Sequence, residues 1–178
     1  MKQQGFTLIE LIIVCTIIAI TSQSINNSFA SLVEQARVDK DRSRLLTMIQ
    51  TTRLYSINHS STSVLCPSED QSNCIRNWKL PLILFIDDNK NKKRDEGEPI
   101  LSRFEPFSAD DISIKYPKSQ IRFNEQGIAN FYNGTLSYCL NQSVTGIVIS
   151  RIGRIRFALD LDGDHIPDVN PNTPVSCQ

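Results

Sequence analysis

An almost uninterrupted apolar segment near the N-terminus most constrains what this chain can form. From Phe6 to Ile20, every residue is apolar except two threonines and Glu10. Fifteen helical residues reach about 22 Å, and extension to Ile25 approaches the roughly 30 Å hydrocarbon core of a membrane. We therefore predict that residues 6–28 form a hydrophobic helix that enters a membrane.

The acidic residue Glu10 distinguishes three interpretations of this segment. A cleaved secretory signal needs a small-residue cleavage site behind the apolar stretch, and residues 21–27 do not supply one. An ordinary membrane anchor disfavours an internal carboxylate, which costs about 2.5–3.5 kcal/mol. Cleavage between Gly5 and Phe6, with the carboxylate retained for a partner, accounts for all of these features.

The sequence GFTLIE and its apolar continuation resemble the class III signal of type IV prepilins and type II secretion pseudopilins. The resemblance implies a leader over residues 1–5, which a prepilin peptidase removes after Gly5, and methylation of the new N-terminal Phe6. It also implies that Glu10 pairs with the terminal amine of a neighbouring subunit during assembly. An ammonium and a carboxylate tolerate an apolar setting together better than either does alone.

Beyond this segment, the residue pattern is first typical of a helix and then typical of β-strands. No proline or glycine occurs between Phe6 and Ser60, and apolar residues recur at helical spacing from Phe29, so we predict an amphipathic continuation over residues 29–60. Residues 61–178 are predicted to form a β-rich head. The fold class is therefore α+β: a long N-terminal helix, transmembrane and then amphipathic, packed on a small antiparallel β head. The resemblance to pilins implies the same fold, with residues 6–28 in the membrane or in the core of a filament.

Eight short runs of β-forming residues separated by turn residues are the predicted strands of the head. The Asn133–Gly134 pair between two of them predicts a type I′ hairpin turn. Residues 87–99 and 160–178 are predicted to be ordered loops or a tail. The predicted strands are 62–66, 82–86, 112–116, 121–123, 128–132, 135–140, 144–150 and 154–159.

The head carries a second resemblance. Trp78 and the following LILFIDDNKNKKRDEGEPIL resemble a segment of the GspH/FimT family of minor pilins, with Lys92 where a glycine is usual. The segment Ser150–Arg156 resembles that family's G-R-x-R ending. These resemblances imply an inner-membrane protein with a periplasmic head that later joins a pilus or pseudopilus. The implied partners are major and minor pilins, the prepilin peptidase and the inner-membrane assembly platform.

The cysteines fit an extracytoplasmic head, which the resemblance implies and where disulfides persist. Cys15 lies in the hydrophobic helix and is expected to be a plain apolar residue. The other four permit three pairings. We favour Cys66 with Cys74, which closes a short loop, and Cys139 with Cys177, which fastens a proline-rich tail.

Three arginines near the end of the chain form a candidate phosphate-binding patch. Arg154 and Arg156 share one face of a predicted strand, and Gly153 allows a turn that brings Arg151 towards them. Guanidinium groups suit phosphate backbones, and the resemblance to the FimT branch implies DNA binding during natural transformation. The alternative is a surface strand whose arginines pair with the acidic tail.

The segment DLDGDHIPD is a candidate calcium loop. Asp160, Asp162, Asp164 and Asp168 occupy positions 1, 3, 5 and 9 of a calcium-binding loop, but Pro171 stands where the bidentate glutamate belongs. The alternative is a solvated acidic turn.

A second loop has the spacing of the same calcium template, but its basic residues disfavour a bound cation. Lys92 occupies the position that needs glycine, and neighbouring basic residues repel a cation, so we predict a structural loop between strands. The residues at positions 1, 3, 5, 9 and 12 are Asp87, Asn89, Asn91, Asp95 and Glu98.

Composition excludes several other functions. With 19 basic and 19 acidic residues, the chain cannot coat nucleic acid by bulk charge. His59 and His165 match no catalytic spacing, so no enzyme activity is expected, and no cofactor is expected apart from the candidate calcium.

We predict a minor pilin that helps to initiate or cap a type IV pilus, supporting twitching motility and DNA uptake. A type II secretion pseudopilin and a dedicated DNA receptor at the pilus tip are the alternatives.

Overall fold

The structure is a computed structural model that describes the backbone of residues 7–107, 111–141 and 143–177. Within this part, the side chains of residues 20–28, 30 and 31 are not described.

One long helix, α1, runs from Leu8 to Asn58 and contains 51 residues. Its length agrees with a stretch that lacks the two strongest helix breakers, proline and glycine. Among the described residues, no helix combines the length and apolar character needed to cross a membrane. The chain divides into two compact units, residues 1–39 and 40–178, and α1 contributes residues to both.

The second unit contains two antiparallel four-stranded sheets and one small two-stranded sheet. The first has strand order β3-β2-β1-β5, the second has order β4-β6-β7-β8, and β9 pairs with β10. This confirms the α+β class and the antiparallel head. The strands are β1 (Ser63–Pro67), β2 (Leu82–Ile86), β3 (Ile100–Phe104), β4 (Ile112–Lys115), β5 (Ile121–Phe123), β6 (Gly134–Leu140), β7 (Ser143–Ile149), β8 (Ile155–Phe157), β9 (Asp168–Asn170) and β10 (Thr173–Pro174).

Three local predictions are wrong. The predicted strand 128–132 instead contains a short 3₁₀ helix, Asn130–Tyr132. Asn133 has φ −66°, which rules out a type I′ turn at Asn133–Gly134, because that turn needs positive φ at both central residues. The strand β3 was not predicted, and β9 and β10 lie in a segment that was expected to be a loop or tail.

The core of the second unit forms where the later turns of α1 meet the sheets. Leu45, Met48 and Ile49 are buried, together with apolar residues of both four-stranded sheets such as Phe85 and Tyr138. Burial of this kind contributes about 25 cal/mol per Å² of apolar surface.

The apolar stripe predicted to begin at Phe29 is not buried over its first part. Phe29, Leu32 and Val33 are exposed in the isolated chain.

Two disulfides close the head. Cys66 pairs with Cys74, with Cα atoms 5.5 Å apart, and Cys139 pairs with Cys177, with Cα atoms 6.1 Å apart. These are the two pairs favoured above, and Cys15 is free. The second bridge fixes the C-terminal segment to β6.

Candidate functional site

The first candidate site lies at the start of α1. The backbone N–H and the hydroxyl of Thr7 both donate to Oε2 of Glu10 over 2.9 Å, and the Glu10 N–H faces the Thr7 hydroxyl oxygen at 3.4 Å. This is a capping box, which satisfies the donors that a helix leaves unpaired at its N-terminus. The carboxylate of Glu10 is thereby oriented towards the N-terminal end. Gly5 and Phe6, the predicted cleavage and methylation residues, lie outside the described residues.

The second candidate site is the hairpin that joins β7 to β8. The N–H of Gly153 donates to the Ser150 carbonyl over 3.0 Å, and the N–H of Ser150 donates to the Arg154 carbonyl over 2.9 Å. Gly153 has φ +84°, in the left-handed region. A turn closed by a left-handed glycine is a common connection between antiparallel strands. The hairpin places Arg151 and Ile152 at an exposed tip.

Gly153 is also required by close packing. A Cβ atom at this position would lie 1.9 Å from the carbonyl oxygen of Gly127. That same oxygen accepts a 3.0 Å hydrogen bond from Nε of Arg53 on α1. The glycine therefore lets the arginine-bearing hairpin approach the 124–127 turn and the last turns of α1.

The structure separates the three predicted phosphate-binding arginines. Arg156 is partly buried and donates to the carbonyls of Phe157 and Val169, over 3.0 and 2.6 Å, so its guanidinium helps to hold the C-terminal segment. Arg154 is exposed and precedes β8, so it does not share a strand face with Arg156 in the way the sequence suggests. The guanidinium of Arg151 lies 5.8 Å from the ring centroid of Phe131. Arg151 and Arg154 are thus the two arginines that remain available to a ligand.

The acidic loop after β8 brings three of its four predicted ligands together. Carboxylate oxygens of Asp160, Asp162 and Asp168 lie within 4.8 Å of one another, and Asp164 is not in this group. The N–H of Gly163 donates to Asp160 over 2.7 Å and lowers the pKa of that carboxyl group. Asp168 is buried and accepts a 2.9 Å hydrogen bond from the N–H of Leu161. Carboxylate oxygens in such a loop are the ligand type that calcium prefers.

The loop 87–98 is bound to a basic side chain of the neighbouring strand β5. The guanidinium of Arg122 forms a 3.0 Å ion pair with the buried carboxylate of Asp87. Asp87 also accepts hydrogen bonds from the N–H groups of Asn91 and Lys92, each over 3.0 Å. Glu98 accepts hydrogen bonds from the N–H groups of Asp88 and Asp95, over 2.9 and 3.0 Å. The two anchoring carboxylates are therefore occupied by protein donors, as expected for a structural loop.

Comparison with protein families identifies the family of this head. The family described as type II transport protein GspH matches residues 42–153, which is more than half of the chain. The chain belongs to the GspH family. The prokaryotic N-terminal methylation motif matches residues 1–22, the part that carries Gly5, Phe6 and Glu10. The GspH family consists of pilins and pseudopilins, a structural class of proteins rather than an enzyme class.

A solved structure shares the fold of this GspH-family chain. A crystal structure of the type IV minor pilin FimU from Pseudomonas aeruginosa strain PAO1, in space group P21, aligns with a TM-score of 0.54 at 17% identity. The alignment covers 71% of this chain and 91% of that chain. A second crystal form of FimU, in space group P65, gives a TM-score of 0.49 at 16% identity, covering 70% of this chain and 92% of that one. A search of curated proteins gives no match.

Two residues of the GspH-family head were missed by sequence reasoning. Arg122 stands between Ile121 and Phe123, where alternation predicts an outward side chain, yet it is buried against Asp87. Phe131 was assigned to a strand, whereas it projects from the 3₁₀ helix with 79% of its surface exposed. For Arg122, the only signal in the sequence was an arginine flanked by apolar residues. For Phe131, the sequence contained no signal of exposure.

Proposed function

We propose that this GspH-family chain is a minor pilin, processed by the prepilin peptidase between Gly5 and Phe6, that helps to initiate or cap a type IV pilus. The observation that carries the proposal is the N-terminal methylation motif at residues 1–22, joined to a GspH head. The likeness of the fold to the minor pilin FimU supports the same interpretation. In this account, the chain begins in the inner membrane with its head in the periplasm.

We assign to Glu10 the contact that joins this subunit to its neighbour during filament assembly. Its carboxylate would pair with the methylated amine of a neighbouring subunit. Phe29, Leu32 and Val33, which are exposed in the single chain, would be covered by other pilins in the filament. Burial of this surface would favour a complex with several major and minor pilins on the assembly platform.

The Glu10 proposal is tested by separating its charge from its capping contact. Glu10→Gln keeps an acceptor oxygen for Thr7 and removes the charge, whereas Thr7→Val removes the hydroxyl and keeps the charge. We expect both variants to be processed, but only Glu10→Gln to lose incorporation into sheared filaments, measured by immunoblot. Normal incorporation of Glu10→Gln would contradict the assigned role.

A pseudopilin of the type II secretion system is the second candidate function, favoured by the description of the matching family as a type II transport protein. The two functions differ in what a deletion strain loses. If the chain is a minor pilin, we expect the deletion strain to lose surface pili, twitching and transformation and to keep protein secretion. Loss of secreted proteins with normal pili would favour the pseudopilin.

We also propose that Arg151 and Arg154 contact DNA during its uptake. In the alternative in which the chain is a dedicated DNA receptor, the same two arginines would capture DNA at the pilus tip. Support comes from their exposure on one hairpin tip and from the absence of ion pairs to either residue among the described residues. Two contacts give a salt slope of only about −2, so we expect weak, sequence-independent binding.

A gel-shift experiment with the full chain in detergent tests this contact. Arg154→Ala should weaken duplex binding at low salt, and Arg103→Ala, an exposed arginine on β3, serves as the matched control. Equal binding by both variants and the wild type would remove Arg154 from the proposal.

A further inference from the structure

We propose that Phe131 is a stacking platform for an unpaired nucleobase, so that the arginine hairpin binds single-stranded in preference to double-stranded DNA. The inference rests on the proposed DNA contact and names the form of DNA that it would take. It starts from one observation: Phe131 exposes 79% of its surface and is the most exposed large hydrophobic residue among the described residues.

The position of Phe131 is fixed by its surroundings. Asn130 has φ +48° and donates its N–H to the carbonyl of Arg151 over 2.9 Å, which joins the 3₁₀ helix to the arginine hairpin. The N–H of Tyr132 donates to the carbonyl of Ala129 over 2.9 Å. The buried hydroxyl of Tyr116 donates to the carbonyl of Tyr132. These bonds hold the backbone that carries the ring, so a ligand that stacks on Phe131 need not order this loop first.

The charges around the ring suit a polyanion. The guanidinium of Arg151 lies 5.8 Å from the ring centroid, within the range of a cation–π contact. Nearby acids are already paired: Asp87 with Arg122 over 3.0 Å, and Glu125 with Lys90 over 2.7 Å. Arg151 and Arg154 form no ion pair among the described residues, so the positive charge of this hairpin is available to a polyanion.

A cleft beside Phe131 offers space for the edge of a base. It has a volume of about 140 Å³, and Arg122, Asn124 and Tyr132 contribute to its lining together with Phe131. No acidic residue lines it. An exposed aromatic face beside an exposed guanidinium, here that of Arg151, is the chemistry by which proteins hold unpaired bases. In a duplex the faces of the bases are covered by their neighbours, so this contact favours single strands.

The experiment compares two single-stranded probes of equal length and charge, a thymidine dodecamer and its abasic counterpart, together with a duplex. Full-length protein in detergent is titrated by fluorescence anisotropy at low salt. We expect the thymidine probe to bind about tenfold more tightly than the abasic probe, since stacking on an aromatic residue contributes at about this level. Phe131→Ala should abolish that ratio, and Phe131→Trp should preserve it.

The controls separate the inference from the proposal beneath it. Leu54→Ala removes another exposed apolar side chain and should leave the ratio unchanged, whereas Arg154→Ala should weaken both single-stranded probes by the same factor. Equal affinity for thymidine and abasic probes would overturn the stacking role and leave the DNA contact standing. Absence of binding to any probe would overturn both. Loss of filament incorporation by Phe131→Ala, with an unchanged probe ratio, would instead make this surface a contact between subunits and overturn the inference.

Discussion

The hydroxyl of Tyr138 on β6 donates a 2.7 Å hydrogen bond to the carboxylate of Asp41 on α1, and both residues are buried. Two neighbouring helix residues make further contacts with the same unit. Arg42 lies 4.0 Å from the ring centroid of Phe157, and Arg44 donates to the carbonyl of Glu105. These contacts anchor the turn of α1 that follows the boundary at residues 39 and 40.

Removing the Tyr138 hydroxyl should weaken the head. In Tyr138→Phe the buried carboxylate of Asp41 loses a donor, and we expect the free energy of unfolding to fall by about 1–2 kcal/mol. Tyr55→Phe is the matched control, since the hydroxyl of Tyr55 has no hydrogen bond among the described residues. Urea unfolding of both variants measures the difference. Equal stability of the two variants would show that the bond to Asp41 adds nothing to the stability of the head.

Two glycines with the same backbone conformation should respond differently to alanine. Gly153 and Gly163 have φ of +84° and +86°, but only at Gly153 does an added Cβ meet a neighbouring atom. Gly163→Ala should therefore cost about 1–2 kcal/mol, from left-handed strain alone. Gly153→Ala should cost a further 1–3 kcal/mol or so, because the hairpin must move away from Gly127. Thermal unfolding compares the pair, and equal losses would argue against the close approach.

The loop closed by Cys66 and Cys74 should become less stable in acid. The side-chain amide of Asn73, followed by the N–H groups of Asn73 and Ser72, holds the pKa of Asp70 far below its usual value. The contribution of this carboxylate is present above the unfolded pKa of about 3.9 and is lost as pH falls below it. The stability gap between wild type and Asp70→Asn should therefore narrow from pH 6 to pH 2. A gap that is constant with pH would contradict the assignment, and Asn73→Ala should reduce the dependence.

Calcium remains a prediction for the acidic loop. If Asp160, Asp162 and Asp168 bind it with a dissociation constant of about 1 mM, then 10 mM calcium adds about 1.4 kcal/mol to the free energy of unfolding. Asp162→Ala should abolish this increase, whereas Asp95→Ala in the other loop should not. An unchanged melting temperature on addition of calcium or a chelator would identify a solvated acidic turn.

Local patterns predicted most of the architecture of this chain. A stretch without glycine or proline gave the long helix, and seven of the eight predicted runs overlap observed strands. The strand β3 was missed because it lies at a sheet edge and is only partly buried, so its sequence ILSRF has no strong apolar pattern. The 3₁₀ helix was mistaken for a strand because Phe131 and Tyr132 favour strands, whereas the positive φ of Asn130 depends on its tertiary bond to Arg151.

The candidate sites depended more on long-range contacts than the strands did. The pairing of Asp87 with Arg122 joins residues that are 35 positions apart, and no spacing rule predicts it. Likewise, the sequence G-R-I-R suggested that both of its arginines lie on one face of a strand. In the structure, the guanidinium of Arg156 instead donates to the carbonyls of Phe157 and Val169. The Gly153 turn was predictable, because a left-handed glycine between two strands is a local requirement.

The central claim is that the apolar N-terminal segment is a processed assembly element with Phe6 at its mature end. Intact-mass and N-terminal peptide mass spectrometry of the protein from its native membranes tests it most directly. We expect a chain that lacks residues 1–5 and begins with N-methylated Phe6. Retention of Met1, or a mature end at any other residue, would contradict the account.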